Sequence, residues 1–190
     1  MGDYLETIWR LIIEQLRGIY VSQIEFLFVV GALFVLVPGF VIMKIKGSIS
    51  KRKLFALYFL FVYTGIMLLI TVFRRKPGSR YGIETRLNFG YFGGWYGLKQ
   101  TAYCVLNVFL FVPFGFLVKI YRWNDKLIKG IVMSTLISFL MSFGIETIQL
   151  ITKTGTFEVT DLVTNISGGF IGAVIAAIFV FAMNKRKRET

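Results

Sequence analysis

Apolar residues gather along this chain into five stretches, divided by short polar and basic connections: Ile24–Met43, Leu54–Phe73, Ala102–Tyr121, Leu127–Leu150 and Leu162–Met183. Each approaches the roughly 20 residues that an α-helix needs to cross the hydrocarbon core of a bilayer. Ahead of them Leu5, Ile8, Trp9, Ile12, Leu16 and Ile19 recur at helical spacing, with Glu6, Arg10, Glu14 and Arg17 between. That pattern predicts an amphipathic helix, either in the interface plane with Trp9 and Tyr20 as anchors or packed on the bundle. The predicted class is all-α: a polytopic transmembrane helix bundle of five spans plus an N-terminal amphipathic interfacial helix. The charges that interrupt the N-terminal apolar residues argue against a cleavable signal peptide.

Few polar residues break the apolar runs, and they cluster. Glu146 and Gln149 stand near the end of the fourth stretch, Asp161 and Asn165 at the start of the fifth. An ionisable group in a span costs about 3 kcal/mol or more unless it finds a partner or water. Glu146 and Gln149 are three apart and share a helix face. Ser134, Ser138 and Ser142 step back from Glu146 down the same span, and Gly168, Gly169 and Gly172 follow Asn165 on the next. Small residues permit close helix approach, so the expected arrangement packs the glycines of the fifth span on the serines of the fourth. The acids and amides then meet at the mouth.

Plainer roles fit some of these residues. Asp161 suits an N-terminal cap, and Gln149 and Asn165 suit interhelical hydrogen bonding. Glu146 lies about a turn inside its helix and wants a cation, for which Arg86 on the second connection is the expected partner. Asn107 falls in the first turns of the third span, and Pro113 predicts a kink below it. In the second connection, Tyr91, Phe92, Trp95 and Tyr96 predict an aromatic segment lying over the bundle.

Composition narrows the class further. The 190 residues are 56% hydrophobic with a mean hydropathy of +0.70, more apolar surface than a soluble domain of this size can cover. The net charge of +12 is carried by basic residues that flank the apolar stretches. This reads as membrane topology and contact with anionic headgroups, and nucleic acid is not an expected partner. Lys and Arg total 13 on the side of the C-terminal tail and 9 on the other, which predicts a cytoplasmic C-terminus and an external N-terminus. The single cysteine, Cys104, forms no intrachain disulfide and reads as a small core- or lipid-facing residue. With no histidine, the commonest general base and zinc ligand is missing.

The order NxxxFxPFG, ExxQ, an aromatic-containing linker and DxxxNxxGGxxG resembles the VanZ-like family of bacterial membrane proteins, over about residues 54–183. Arg86-Leu87-Asn88 is similar to a further motif of that family. The resemblance implies a four-span core at 54–183. Residues 1–23 (the amphipathic helix), 24–53 (a first span and basic loop) and 184–190 (a basic cytoplasmic tail) lie outside it. It implies as polar site residues Arg86, Asn88, Asn107, Glu146, Gln149, Asp161 and Asn165. It also implies a place in the bacterial cell membrane and a link to teicoplanin resistance; the family has no agreed biochemical activity. One departure is Thr156, which follows Gly155 where members usually carry arginine. Arg86, Lys153 or solvent is then expected to face the acid.

Two functions remain open on these residues. The first is a binding protein whose outward polar cleft holds the headgroup of an envelope lipid, a lipid-linked cell-wall precursor or a lipoglycopeptide. The second is an intramembrane enzyme acting on such a headgroup, with Glu146 and Asp161 as acid and base, or both holding Mg²⁺. No cofactor or metal is expected for the first. A transporter is disfavoured, because the five spans show no inverted repeat.

Overall fold

The computed structural model describes residues 2–47, 49–78, 81–90 and 93–189. Five helices are long and apolar enough to cross a membrane: Val21–Lys46, Lys51–Phe73, Gly94–Tyr121, Leu127–Thr152 and Val159–Arg186. Helices are the expected solution, since lipid offers backbone groups no hydrogen bonds of its own. We number the helices α1 (Gly2–Leu16), α2 (Val21–Gly31), α3 (Val37–Lys46), α4 (Lys51–Leu68), α5 (Gly94–Tyr121), α6 (Leu127–Thr152) and α7 (Val159–Glu189). The first span is α2 and α3 joined by a π-helical turn at Ala32–Leu36. Pro38 follows that turn and has no N–H to continue the ladder, which accounts for the wider winding before it. A second π-helical turn, Leu69–Phe73, ends the α4 span. Helix α5 runs unbroken through Pro113.

The short α1 buries Ile8, Leu11 and Ile12 against Leu98, Ala102, Val105 and Leu106 of α5, leaving Trp9 and the nearby Tyr20 exposed. Helix α5 begins at Gly94, eight residues before its apolar stretch, so Trp95 and Tyr96 form its first turn and not a loop over the bundle. Lys99, Gln100 and Thr101 mask this extension in the sequence. Tyr91 and Phe92, read as part of the aromatic segment, lie outside the described residues.

Backbone proximity, achieved at glycines, sets the packing. A Cβ on Gly168 would meet the Val108 carbonyl, one on Gly172 the Val112 carbonyl, and one on Gly115 the Gly169 carbonyl. The Gly168-to-Gly172 spacing therefore seats α7 on α5, not on the serines of α6 as the sequence suggested. Gly169 alone faces Ser138. Three glycines from two helices interlock here, and a pairing read from one helix at a time could not reveal that. Ser134 and Ser138 turn inward to donate to carbonyls of their own helix, at 2.7 and 2.9 Å. Met67, Ile70, Phe111, Phe114 and Ile145 fill the space between α4, α5 and α6.

Between the spans, Ile83–Glu84 (β1) pairs in parallel with Phe157–Glu158 (β2), with Ile83 opposite Phe157 and Glu84 opposite Glu158. This two-stranded patch ties the second connection to the α6–α7 linker. It stands at the end of the bundle opposite the start of α4 and the 122–126 loop. Replacing Gly172 by valine should push α7 off α5 and destabilise the fold by about 1–3 kcal/mol. Thermal unfolding in detergent would read this as a lowered midpoint, and an unchanged midpoint would contradict the close approach.

Candidate functional site

Glu146 closes the polar stripe of α6 and is 2% exposed. Its Oε2 accepts a hydrogen bond from the backbone N–H of Glu158 at 3.0 Å. The β1–β2 patch is what holds that amide above the carboxylate. Asp161 lies in the first turn of α7, where the positive end of the helix dipole favours an acid. Glu158, which sequence reasoning passed over, lies within electrostatic reach of both. Three carboxyl groups from two helices and a strand thus share one end of the bundle.

Among the described residues the cation whose charge reaches them is Arg75, not Arg86, and it does so without a direct ion pair. Arg75 is within electrostatic reach of both Glu146 and Asp161. The Arg86 side chain is exposed; its amide donates to Glu84 Oε1 at 3.0 Å and its carbonyl accepts from Thr160 Oγ1 at 3.4 Å. The cause lies in the π-helical turn. An extra residue in a turn rotates the downstream residues by about 100° relative to an α-helix. Here the Arg75 N–H bonds to the Val72 carbonyl at 3.2 Å, leaving the Thr71 carbonyl without its usual donor. The Gln149 side chain fills that vacancy, donating from Nε2 to Thr71 O at 3.0 Å.

Gly155 makes room for this. A Cβ there would lie 2.7 Å from Arg75 Nη1 and 2.9 Å from Gln149 Oε1. Arg75 therefore stands beside the linker next to Thr156, where the resemblance leads one to expect an arginine in sequence. Lys153, the other cation considered, has positive φ at the C-terminus of α6 and lies 5.8 Å over the Tyr81 ring. Within the first turn past α4, Arg74 takes a different task and donates to the Arg17 carbonyl at 3.3 Å. Burial pushes its guanidinium down from its ordinary value, followed by repulsion from Arg75.

The amides complete the site unequally. Asn165 is buried and donates to Ser142 Oγ at 2.9 Å, while its Oδ1 has no hydrogen-bond partner. Asn107 lies beside Asp161, yet its Nδ2 meets no acceptor in hydrogen-bond geometry. Asn88 shapes the rim: its Oδ1 accepts from the Gly90 amide, and its own amide donates to Thr160 Oγ1, both at 3.0 Å. Cys104 is buried, with its thiol 3.8 Å from the Asn88 carbonyl. Among the described residues no group of three or more His, Cys, Asp or Glu is arranged to hold a metal ion.

Six of the seven expected residues thus converge on this end of the bundle, Asn88 at the rim, and Arg86 touches it only through its backbone. Arg75 was hidden in Arg74-Arg75-Lys76, a run that reads as a topology signal. Glu158 was hidden because its amide, not its side chain, contacts Glu146. The one available signal was positional, since both residues border connections that the polar cluster faces.

The VanZ/LLP1 family matches residues 26–180, from within the first span to within the fifth. Over 144 residues the chain is 30% identical to protein VanZ of Enterococcus faecium, covering 75% of this chain and 83% of that one. No solved structure matches it.

Removing the guanidinium should leave the acids without compensation. Arg75→Gln is expected to lower stability by about 1–3 kcal/mol. Glu146→Gln in the same protein should restore part of that loss. Thermal midpoints of the two single variants and the double would test this, and strictly additive effects would show that the groups are not coupled.

Proposed function

The chain belongs to the VanZ/LLP1 family, and we propose that its acidic mouth binds the polar headgroup of an envelope lipid, a lipid-linked cell-wall precursor or a lipoglycopeptide such as teicoplanin. The observation that carries this reading is the excess of acceptors. Among the described residues Glu146, Glu158 and Asp161 share the mouth with one guanidinium, and of its two unpartnered buried amide atoms Asn165 Oδ1 is an acceptor and Asn107 Nδ2 a donor. Such a site suits ligands rich in N–H and O–H groups, as sugars and peptide amides are. Arg75 leaves one place for an acidic group of the ligand. The bias of basic residues to the opposite end supports an external mouth and a cytoplasmic C-terminus, so the ligand would be met outside the cell.

The enzyme reading draws on the same residues, because Glu146 and Asp161 also act on each other electrostatically. Acid and base catalysis needs two carboxyl groups in different environments, and here Glu146 is buried while Asp161 keeps some exposure to solvent.

Expression of wild type, Glu146→Gln and Asp161→Asn in a teicoplanin-susceptible bacterium tests the proposal. Both variants should insert at wild-type level and give no protection, and native mass spectrometry should find a lipid-linked species only on the wild type. Full protection by both variants would refute a ligand role for the mouth. A co-purifying species with a chemically altered headgroup would favour the enzyme.

A further inference from the structure

The end of the bundle away from the acids contains two neighbouring cavities. One, of about 380 Å³, lies between the α5–α6 connection and the last turns of α7, and is lined by Lys119, Lys126, Leu127, Val180 and Phe181 among others. The second, of about 270 Å³, reaches the start of α4 and shares Trp123, Asn124 and Asp125 with the first. Arg52 and Lys53 line it, the former 4.1 Å over the Trp123 ring and the latter 5.0 Å over that of Tyr121.

The first cavity brings two positive features together. Lys119 is 1% exposed and folds over Gly130, where a Cβ would lie 3.0 Å from its Nζ. Its ammonium group has three donors, and among the described residues it makes a single long hydrogen bond, 3.4 Å to the Arg122 carbonyl. Gly130 belongs to the first turn of α6, whose leading amides have no acceptor within the helix. Lys126 at the N-cap contributes no side-chain cap, and the first turn holds no acid. A buried ammonium is thus set beside the positive end of a 26-residue helix. Asp125 is the acid in the wall; it attracts Lys119, but Arg122 already holds it at 2.6 Å.

On the α7 side the lining is Ala177, Val180 and Phe181, with Asn184 at the end. Val180 is buried while Leu127 and Phe181 are largely exposed. A cavity that is cationic at one side and apolar at the other matches a phosphate with acyl chains attached better than a free anion.

We propose that this cavity is a binding site for the phosphate of an anionic phospholipid headgroup, held by Lys119, Lys126 and the first amides of α6, with the acyl chains against Val180 and Phe181. Basic pockets between membrane helices bind such headgroups by the same chemistry. The site is independent of the acidic mouth and of any reading of it.

The test is native mass spectrometry of the full-length protein in mild detergent, titrated with phosphatidylglycerol, phosphatidylcholine or inorganic phosphate. Phosphatidylglycerol should bind at least fivefold more tightly than phosphatidylcholine, and Lys119→Met should weaken it about fivefold, near 1 kcal/mol for one cation. Should Lys119→Met fail to fold, Lys126→Gln, at an exposed position, carries the same expectation. Lys153→Gln, an exposed cation at the other end of the bundle, should leave the affinity unchanged. Equal affinity for the two lipids, or full affinity in the folded lysine variants, would overturn the site. So would an equal loss on replacing Lys185 in the tail, which would reveal only diffuse attraction. Displacement of the lipid by millimolar phosphate would overturn the assignment to a lipid.

Discussion

The arrangement of this protein turns on what it takes to place the Glu146 carboxyl group where water does not reach. A carboxyl group in such a place must be given hydrogen bonds and a counter-charge, or the fold bears several kcal/mol of desolvation. The donor is a backbone amide in a strand, and the strand exists only because a segment 74 residues earlier pairs with it. The counter-charge is Arg75, which the π-helical turn sets against the linker, while Gln149 takes up the carbonyl that the same turn leaves open. Gly155 keeps the space in which these groups meet. Each piece is a local irregularity, and together they serve one buried acid.

The close packing of α5 on α7 supplies the frame. Carbonyl groups of one helix lie against glycines of the other, so the two behave as one rigid unit with little tolerance for added atoms. Asn107 and Asp161 come from these two helices, and Cys104 with them. Their positions relative to one another are therefore set by backbone contact rather than by side chains, as a preorganised site requires. The first span stands apart from this unit and packs on α4, where Leu27 lies over Gly65 and Leu54 over Gly39.

Much of this was legible in the sequence, for physical reasons. Apolar length announces a span because lipid imposes a fixed thickness, and Glu146, Gln149, Asp161 and Asn165 stand out because polar groups in a span are rare. Arg75 was not legible, since a basic residue at a span end ordinarily reports topology and nothing in its spacing marks the π-helical turn. Arg86 misled for the converse reason: a cation on the right connection looked like the partner, but its strand neighbour uses its backbone and sends the side chain to water. The partner of the Gly168–Gly172 face was illegible as well, because a helix face shows that it can pack closely without showing on what.

The parallel pairing of Ile83–Glu84 with Phe157–Glu158 also carries an implication for biogenesis. Strand β1 leaves the ribosome before α5 and α6 are made, and it must wait unpaired until the chain has crossed the membrane twice more. Only then does β2 arrive, and with it the amide that caps Glu146. The acidic mouth thus cannot form until the start of α7 has been made, and a chain stalled or truncated before residue 157 would carry its buried acid uncapped. The cap on Glu146 arrives only as the fifth span begins, so surveillance that recognises misplaced polar groups in the membrane would distinguish chains that have reached it from those that have not.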